Sequence, residues 1–174
     1  MAKRLSIKGY GQLELNQVAF RRDGRIEAQC KLADGIEYVE NGVLLAVDQT
    51  TRTVKLPTTG DEFIALNYTT EHQYDERLAN GLRHFKLDKN TFCPRLGYLA
   101  TGDKFTTNCI SIETAAGELA TEEEVKAVLA GGAYGHASAD GSILVNDTKE
   151  GALLKVVCET TMPDGQFAVK FIAL

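Results

Sequence analysis

The chain has 174 residues, a formal net charge of −5 and a pI near 5.3, and is 44% hydrophobic and 25% charged. That size and balance describe one soluble domain, or two small ones, able to bury a core without staples. The acidic surplus argues against a sequence-independent nucleic-acid binder, whose affinity rests on excess Lys and Arg. Lys3-Arg4 and Arg21-Arg22 are the only adjacent basic pairs and are expected on a solvated surface. The first residues carry no apolar signal segment, and the longest apolar run, residues 43–47, is far too short for a bilayer. A chain made and kept in a cytosol, with no membrane partner, is the expectation.

In chain order, residues 25–32 alternate, with Ile26, Ala28, Cys30 and Leu32 on one side and charged or polar residues on the other. This predicts a half-buried antiparallel strand between turns at Asp23-Gly24 and Asp34-Gly35. Asn41-Gly42 between residues 36–39 and 43–47 reads as a tight hairpin. Residues 53–56, stopped by Pro57, and residues 63–68 and 84–87 are further strand candidates. Residues 70–82 are polar and weakly patterned; a loop or short helix is expected there, as a candidate contact surface.

One helix is predicted near 121–130. Thr121 and Glu124 form a T-x-x-E capping box, Glu122 and Glu123 oppose the helix dipole, and Gly131-Gly132 ends it. Strand-like residues 109–112 and 143–145 flank it. A break near 113–120 suggests a larger β-rich domain over 1–112 and a smaller αβ unit over 113–174, or one continuous domain.

Residues 153–174 carry the strongest local signal. Two alternating runs flank Met162-Pro163-Asp164-Gly165, in which Pro163 presets φ and Gly165 accepts a positive φ. Leu154, Val156 and Cys158 are predicted on one face, against Lys155 and Glu159; Phe167, Val169 and Phe171 share a face opposite Lys170. The final residues are thus expected inside a sheet. Strand signals every ten or so residues predict a mainly β (α+β) fold, an antiparallel barrel or sandwich with one short helix.

Few residues suggest chemistry. Cys30, Cys93, Cys109 and Cys158 lack CxxC spacing, and three of them fall in strand-like segments; buried free thiols are expected, with no metal. His72, His84 and His136 are scattered, and no nucleophile elbow or zinc-protease motif is present. Leu56-Pro57-Thr58-Thr59-Gly60 matches a sorting pattern, but without the apolar and basic tail that such a signal requires. Gly9-Tyr10-Gly11 lacks the rest of a phosphate loop, and the sequons at Asn67 and Asn146 matter only in a secreted chain. No catalytic, cofactor-binding or metal residue is assigned, no cofactor is implied, and an enzyme is not expected.

Three segments resemble head decoration (auxiliary capsid) proteins of tailed bacteriophages: residues 41–69 (NGVLLAVDQTTRTVKLPTTGDEFIALNYT), 99–108 (LATGDKFTTN) and 153–174 (LLKVVCETTMPDGQFAVKFIAL), about a third of the chain. The resemblance implies a β-rich, non-catalytic virion protein, made in the bacterial cytoplasm and bound to the exterior of the assembled capsid. Its implied partner is the major capsid protein, with further copies of itself as a homo-oligomer on the shell; no nucleic acid is implied. The alternatives are another virion component (head fibre, connector or tail protein) or a β-barrel that binds a small ligand.

Overall fold

A computed structural model describes residues 2–58, 63–71, 85–89, 93–113 and 119–174. The first half runs through β1 (Ala2–Arg4), β2 (Leu13–Gln17), the one-turn helix α1 (Phe20–Asp23), β3 (Ile26–Glu27), β4 (Lys31–Leu32), β5 (Tyr38–Val39), β6 (Leu44–Asp48), β7 (Thr53–Lys55) and β8 (Ile64–Asn67). The second half adds β9 (Leu87–Asp88), β10 (Leu96–Gly97), β11 (Lys104–Thr107), β12 (Ile110–Glu113), α2 (Glu122–Ala130), β13 (Tyr134–Ala137), β14 (Ile143–Asn146), β15 (Leu154–Thr161) and β16 (Phe167–Ala173). The fold is mainly β. No helix among the described residues is long and apolar enough to cross a membrane.

An eight-stranded sheet has the order β1-β12-β14-β13-β15-β16-β11-β2, antiparallel except for the β12/β14 pair. A six-stranded sheet has the order β3-β10-β8-β6-β7-β4, and β5 pairs with β9 apart from both. Neither large sheet closes on itself among the described residues, so the layers are open and stacked. Strands from both sides of residue 112 share the larger sheet.

β6 explains the stacking. Leu44 enters one core with Leu66, Phe105, Ile110, Ile143 and Phe171. Its neighbours Leu45 and Val47 enter a second core with Val54, Ala65, Leu87 and Leu96. Both faces of the six-stranded sheet are therefore covered at this strand. That is why residues 43–47 read as an unbroken apolar run rather than an alternation.

The C-terminal hairpin forms as its sequence predicts. Gly165 has φ +86°, its N–H donates to the Met162 carbonyl at 2.8 Å, and Met162 N–H donates to Gln166 at 2.8 Å. Phe167, Val169 and Phe171 enter the first core. A bulge between Val156 and Cys158 corrects the other arm. Leu154 is buried and Val156 half-buried, but Cys158 is exposed and pairs with Lys170. Glu159 instead pairs with Val169 and shares its side of the sheet. The helix also matches its prediction: Thr121 accepts from Glu124 N–H, and the Glu124 carboxylate accepts from Thr121 N–H at 2.7 Å.

Other expectations are overturned. Residues 25–32 are not one strand. β3 and β4 lie at opposite edges of the six-stranded sheet, and Ile26 and Ala28 are exposed. Between them Glu27 accepts from Gln29 N–H at 2.6 Å, a local bond that competes with a strand ladder. Asn41-Gly42 is not a hairpin either, since β5 pairs with β9 and not with β6. Gly42, at φ +83°, carries the chain between layers; its N–H donates to the Asn67 carbonyl at 3.0 Å, and a Cβ would collide with the Thr107 hydroxyl. Lys3 and Arg4 are not solvated: Lys3 is buried and Arg4 half-buried. Only Cys158 of the four cysteines lies in a strand. The helix α1 carries no periodic signal; it forms around Phe20, whose ring is fully buried against Gly97 and stacks on Tyr68 at 4.9 Å. Most of residues 70–82, and His84, lie outside the described residues.

Candidate functional site

A polar, largely buried cluster surrounds Arg4. β1 delivers Arg4 to the edge of the larger sheet, and the chain leaving β5 places Glu40 opposite it. Arg4 Nη2 donates to Glu40 and lies 3.6 Å from Cys109 Sγ. Glu40 also accepts from Gly11 N–H at 3.1 Å, and Cys109 Sγ donates to the Asn41 carbonyl at 3.2 Å. Gly11 is needed here, because a Cβ would sit 2.5 Å from that sulfur. Burial works against the charge on Arg4, but Cys109 and Glu40 outweigh it and its pKa is raised. Burial likewise pushes the Cys109 thiol up to about 11, so it is no nucleophile at neutral pH.

A cleft of about 230 Å³ opens over this cluster, between Ile36, Val43, Leu56, Glu40 and Asp140. Two of its carboxylates are held from within. Glu40 is held by Arg4 and Gly11, and Asp140 accepts from Ser142 N–H at 3.0 Å and from the Ser142 hydroxyl. Burial opposes ionisation of Asp140, yet the Ser142 bonds hold its pKa below the ordinary carboxylate value. The cluster pins β1 to the layer beneath it.

A second region has the opposite character. Where β13, β8 and the loop before β15 meet, a groove of about 640 Å³ is lined by Pro57, Ile64, Ala137, Ala139, Gly151 and Leu153, with Thr58 and His136. A smaller apolar recess of about 160 Å³ continues from it, sharing Ile64 and Leu153 and reaching Leu174. His136 donates one ring N–H to the Thr148 carbonyl at 2.9 Å and is the only ionisable side chain among the described residues that line the main groove. Leu153 is 39% exposed and Leu174 47% exposed. Pro57, Thr58 and His136 were each read separately in the sequence, but nothing there brought them together, because the lining comes from four distant segments. The one available signal was Leu153 beside Leu154, two adjacent leucines at a strand start where alternation buries only one.

The remaining residues of interest have structural places. His136 lies on β13; His72 and His84 lie outside the described residues. Cys30 and Cys109 are buried, Cys93 is half-buried and Cys158 exposed, all as free thiols. Asn67 is buried and donates to the Glu40 carbonyl at 2.7 Å, so its sequon is a packing element. Glu122 pairs with Lys126 at 2.6 Å, and Glu124 with Lys3 at 3.0 Å. Among the described residues no group of three or more His, Cys, Asp or Glu is placed to hold a metal ion. No protein-family model, curated protein or solved structure matches the chain.

Proposed function

We propose that this protein is a structural component of a tailed-phage virion, a decoration protein that binds the outer face of the assembled capsid and stabilises it. One observation carries the reading furthest. The three segments that resemble decoration proteins form one continuous body. Residues 99–108 supply β11, which pairs with β16 from the C-terminal hairpin. Residues 41–69 supply Leu44 and Leu66, which share a core with Phe105 and Phe171 from the other two. The likeness therefore falls on the folding unit itself and not on scattered surface. The major capsid protein is the partner in this reading, and the capsid exterior is the location.

A protein that binds only the assembled lattice draws the assembly equilibrium toward the shell. Sedimentation with assembled shells, and separately with unassembled capsid protein, tests the proposal. Retention on shells with little binding to free subunits is expected. Equal binding to both, or to neither, would remove the support for decoration. Labelling confined to a tail or a single vertex would favour a connector, fibre or tail protein instead.

A further inference from the structure

We infer that Cys30 and Cys93 form a redox-responsive pair, which closes to a disulfide when the folded protein meets a small-molecule disulfide and reopens with a thiol reductant. Both are free thiols in the structure. The pair lies apart from the Arg4 cluster and stands or falls independently of the decoration reading.

Strand register brings the two level. β3 and β10 run antiparallel, with Ile26 opposite Gly97 and Glu27 opposite Leu96, and the Tyr98 N–H donates to the Arg25 carbonyl at 3.0 Å. The same count, three residues on from Glu27 and three back from Leu96, sets Cys30 against Cys93. Opposed residues of an antiparallel pair lie about 4.5–5.5 Å apart at Cα, inside the range of about 4.4–6.8 Å that a disulfide usually spans. The ladder itself stops short of the cysteines for local reasons. Pro94 has no N–H to give, and the Gln29 N–H donates to the Glu27 carboxylate at 2.6 Å. Past that bend Cys30 enters the second core, with Leu96. Its thiol donates to the Glu27 carboxylate, and the Cys93 sulfur is near enough for its charge to act on Cys30.

Burial orders the two steps. Cys93 is half-buried, whereas Cys30 is 1% exposed. Burial, and after it the Glu27 charge and hydrogen bond, push the Cys30 thiol up to about 11. Cys93 therefore meets the reagent first. Its thiolate attacks one sulfur of the small disulfide, breaks that S–S bond and expels a thiolate, which takes up a proton. Cys93 is left as a mixed disulfide. Cys30 then gives its proton to solvent; its thiolate attacks the Cys93 sulfur and expels the second small thiolate, which is protonated in turn. The pair loses two electrons and two protons, and the reagent is reduced to two thiols. The new bond joins the approach to β10 with the link between β3 and β4. It ties down the segment that crosses from one edge of the six-stranded sheet to the other.

The test uses the full-length protein with Cys158→Ser in every sample, so that the exposed thiol cannot link copies. Folded protein is incubated with oxidised glutathione, quenched with acid, alkylated in denaturant and mapped by mass spectrometry. Thermal unfolding in reductant establishes that each variant folds. Most molecules are expected to carry a peptide pair joined through Cys30 and Cys93, lighter by two hydrogens than the separate peptides, and dithiothreitol should restore both thiols. Cys93→Ser should leave Cys30 free under the same conditions. If that variant does not fold, Cys30→Ala serves instead, with Cys93 expected to stop as the glutathione adduct. In the chain that keeps both cysteines, Cys93 held as that adduct with Cys30 still free overturns the pairing. So does a Cys30 link that forms only in denaturant, or one made to Cys109.

Discussion

Gln166 holds Lys8 as a neighbouring strand would. Its side-chain amide accepts the Lys8 N–H at 2.6 Å and donates to the Lys8 carbonyl at 2.8 Å, across 158 residues of sequence. Beside it Asp164 accepts from the Gln12 side chain at 2.7 Å. The tip of the last hairpin thus clamps the strap that joins β1 to β2. Gln166→Ala is expected to cost about 1 kcal/mol, the usual net worth of such bonds, and to speed hydrogen exchange at Lys8 well before the core opens. Unchanged exchange at Lys8 would show that the strap is held by something else.

Phe171 is fully buried and packs on Phe105, with ring centroids 5.8 Å apart. Phe171→Ala is expected to lose about 3–5 kcal/mol, as large core deletions do. Phe167 is 9% exposed with the Lys126 ammonium 5.5 Å from its ring, so Phe167→Ala should fall at or below the lower end of that range. Chemical denaturation measures both. A loss under about 1 kcal/mol at Phe171 would contradict its place in the core.

The Arg4–Glu40 pair makes a signed prediction. The Glu40 side chain is 9% exposed and that of Arg4 27%. Arg4→Met removes the only cation paired with Glu40 among the described residues, and is expected to cost about 3 kcal/mol, the lower end for breaking a buried pair. Adding Glu40→Gln should recover part of that loss, because the stranded charge goes with it. A double variant less stable than the sum of the two singles would refute the pairing.

The thiols should react in order of exposure. Cys158 is exposed and should label first at neutral pH, then Cys93; Cys30 and Cys109, 1% and 0% exposed, should stay silent until the protein unfolds. The raised Cys109 pKa has a stability consequence. An unfolded thiol ionises near ~8.5, while the folded one keeps its proton to about 11. The unfolded state therefore binds fewer protons across that window, and this stabilising contribution is lost as pH rises through it. Denaturation midpoints of wild type and Cys109→Ala at pH 7.5 and 10 check this: the wild type should lose more stability between the two pH values. An equal loss in both would mean that the thiol is not shielded as described.

Legibility followed the range of the interactions. The C-terminal hairpin and α2 were readable because their determinants are local: Pro163 and Gly165 set the turn, and Thr121 with Glu124 sets the cap. Residues 25–32 misled because their alternation is genuine but its ladder partners are absent. β3 and β4 bind opposite edges of one sheet, a fact fixed by β10 and β7 far along the chain. Asn41-Gly42 has hairpin chemistry, yet Asn67 and Thr107 use Gly42 to join layers. The bulge at Val157 has no sequence mark, and it reverses the expected sides of Cys158 and Glu159. Neither the Arg4 cluster nor the apolar groove was legible, since each gathers residues from four or more segments that only the tertiary fold brings together.

Cryo-electron microscopy of the particle that carries this protein tests the central claim most directly. Density for its stacked sheets is predicted on the outer capsid surface, repeated at equivalent lattice positions, with each copy spanning neighbouring subunits. Density confined to a tail or portal vertex, or none on the particle at all, would contradict it.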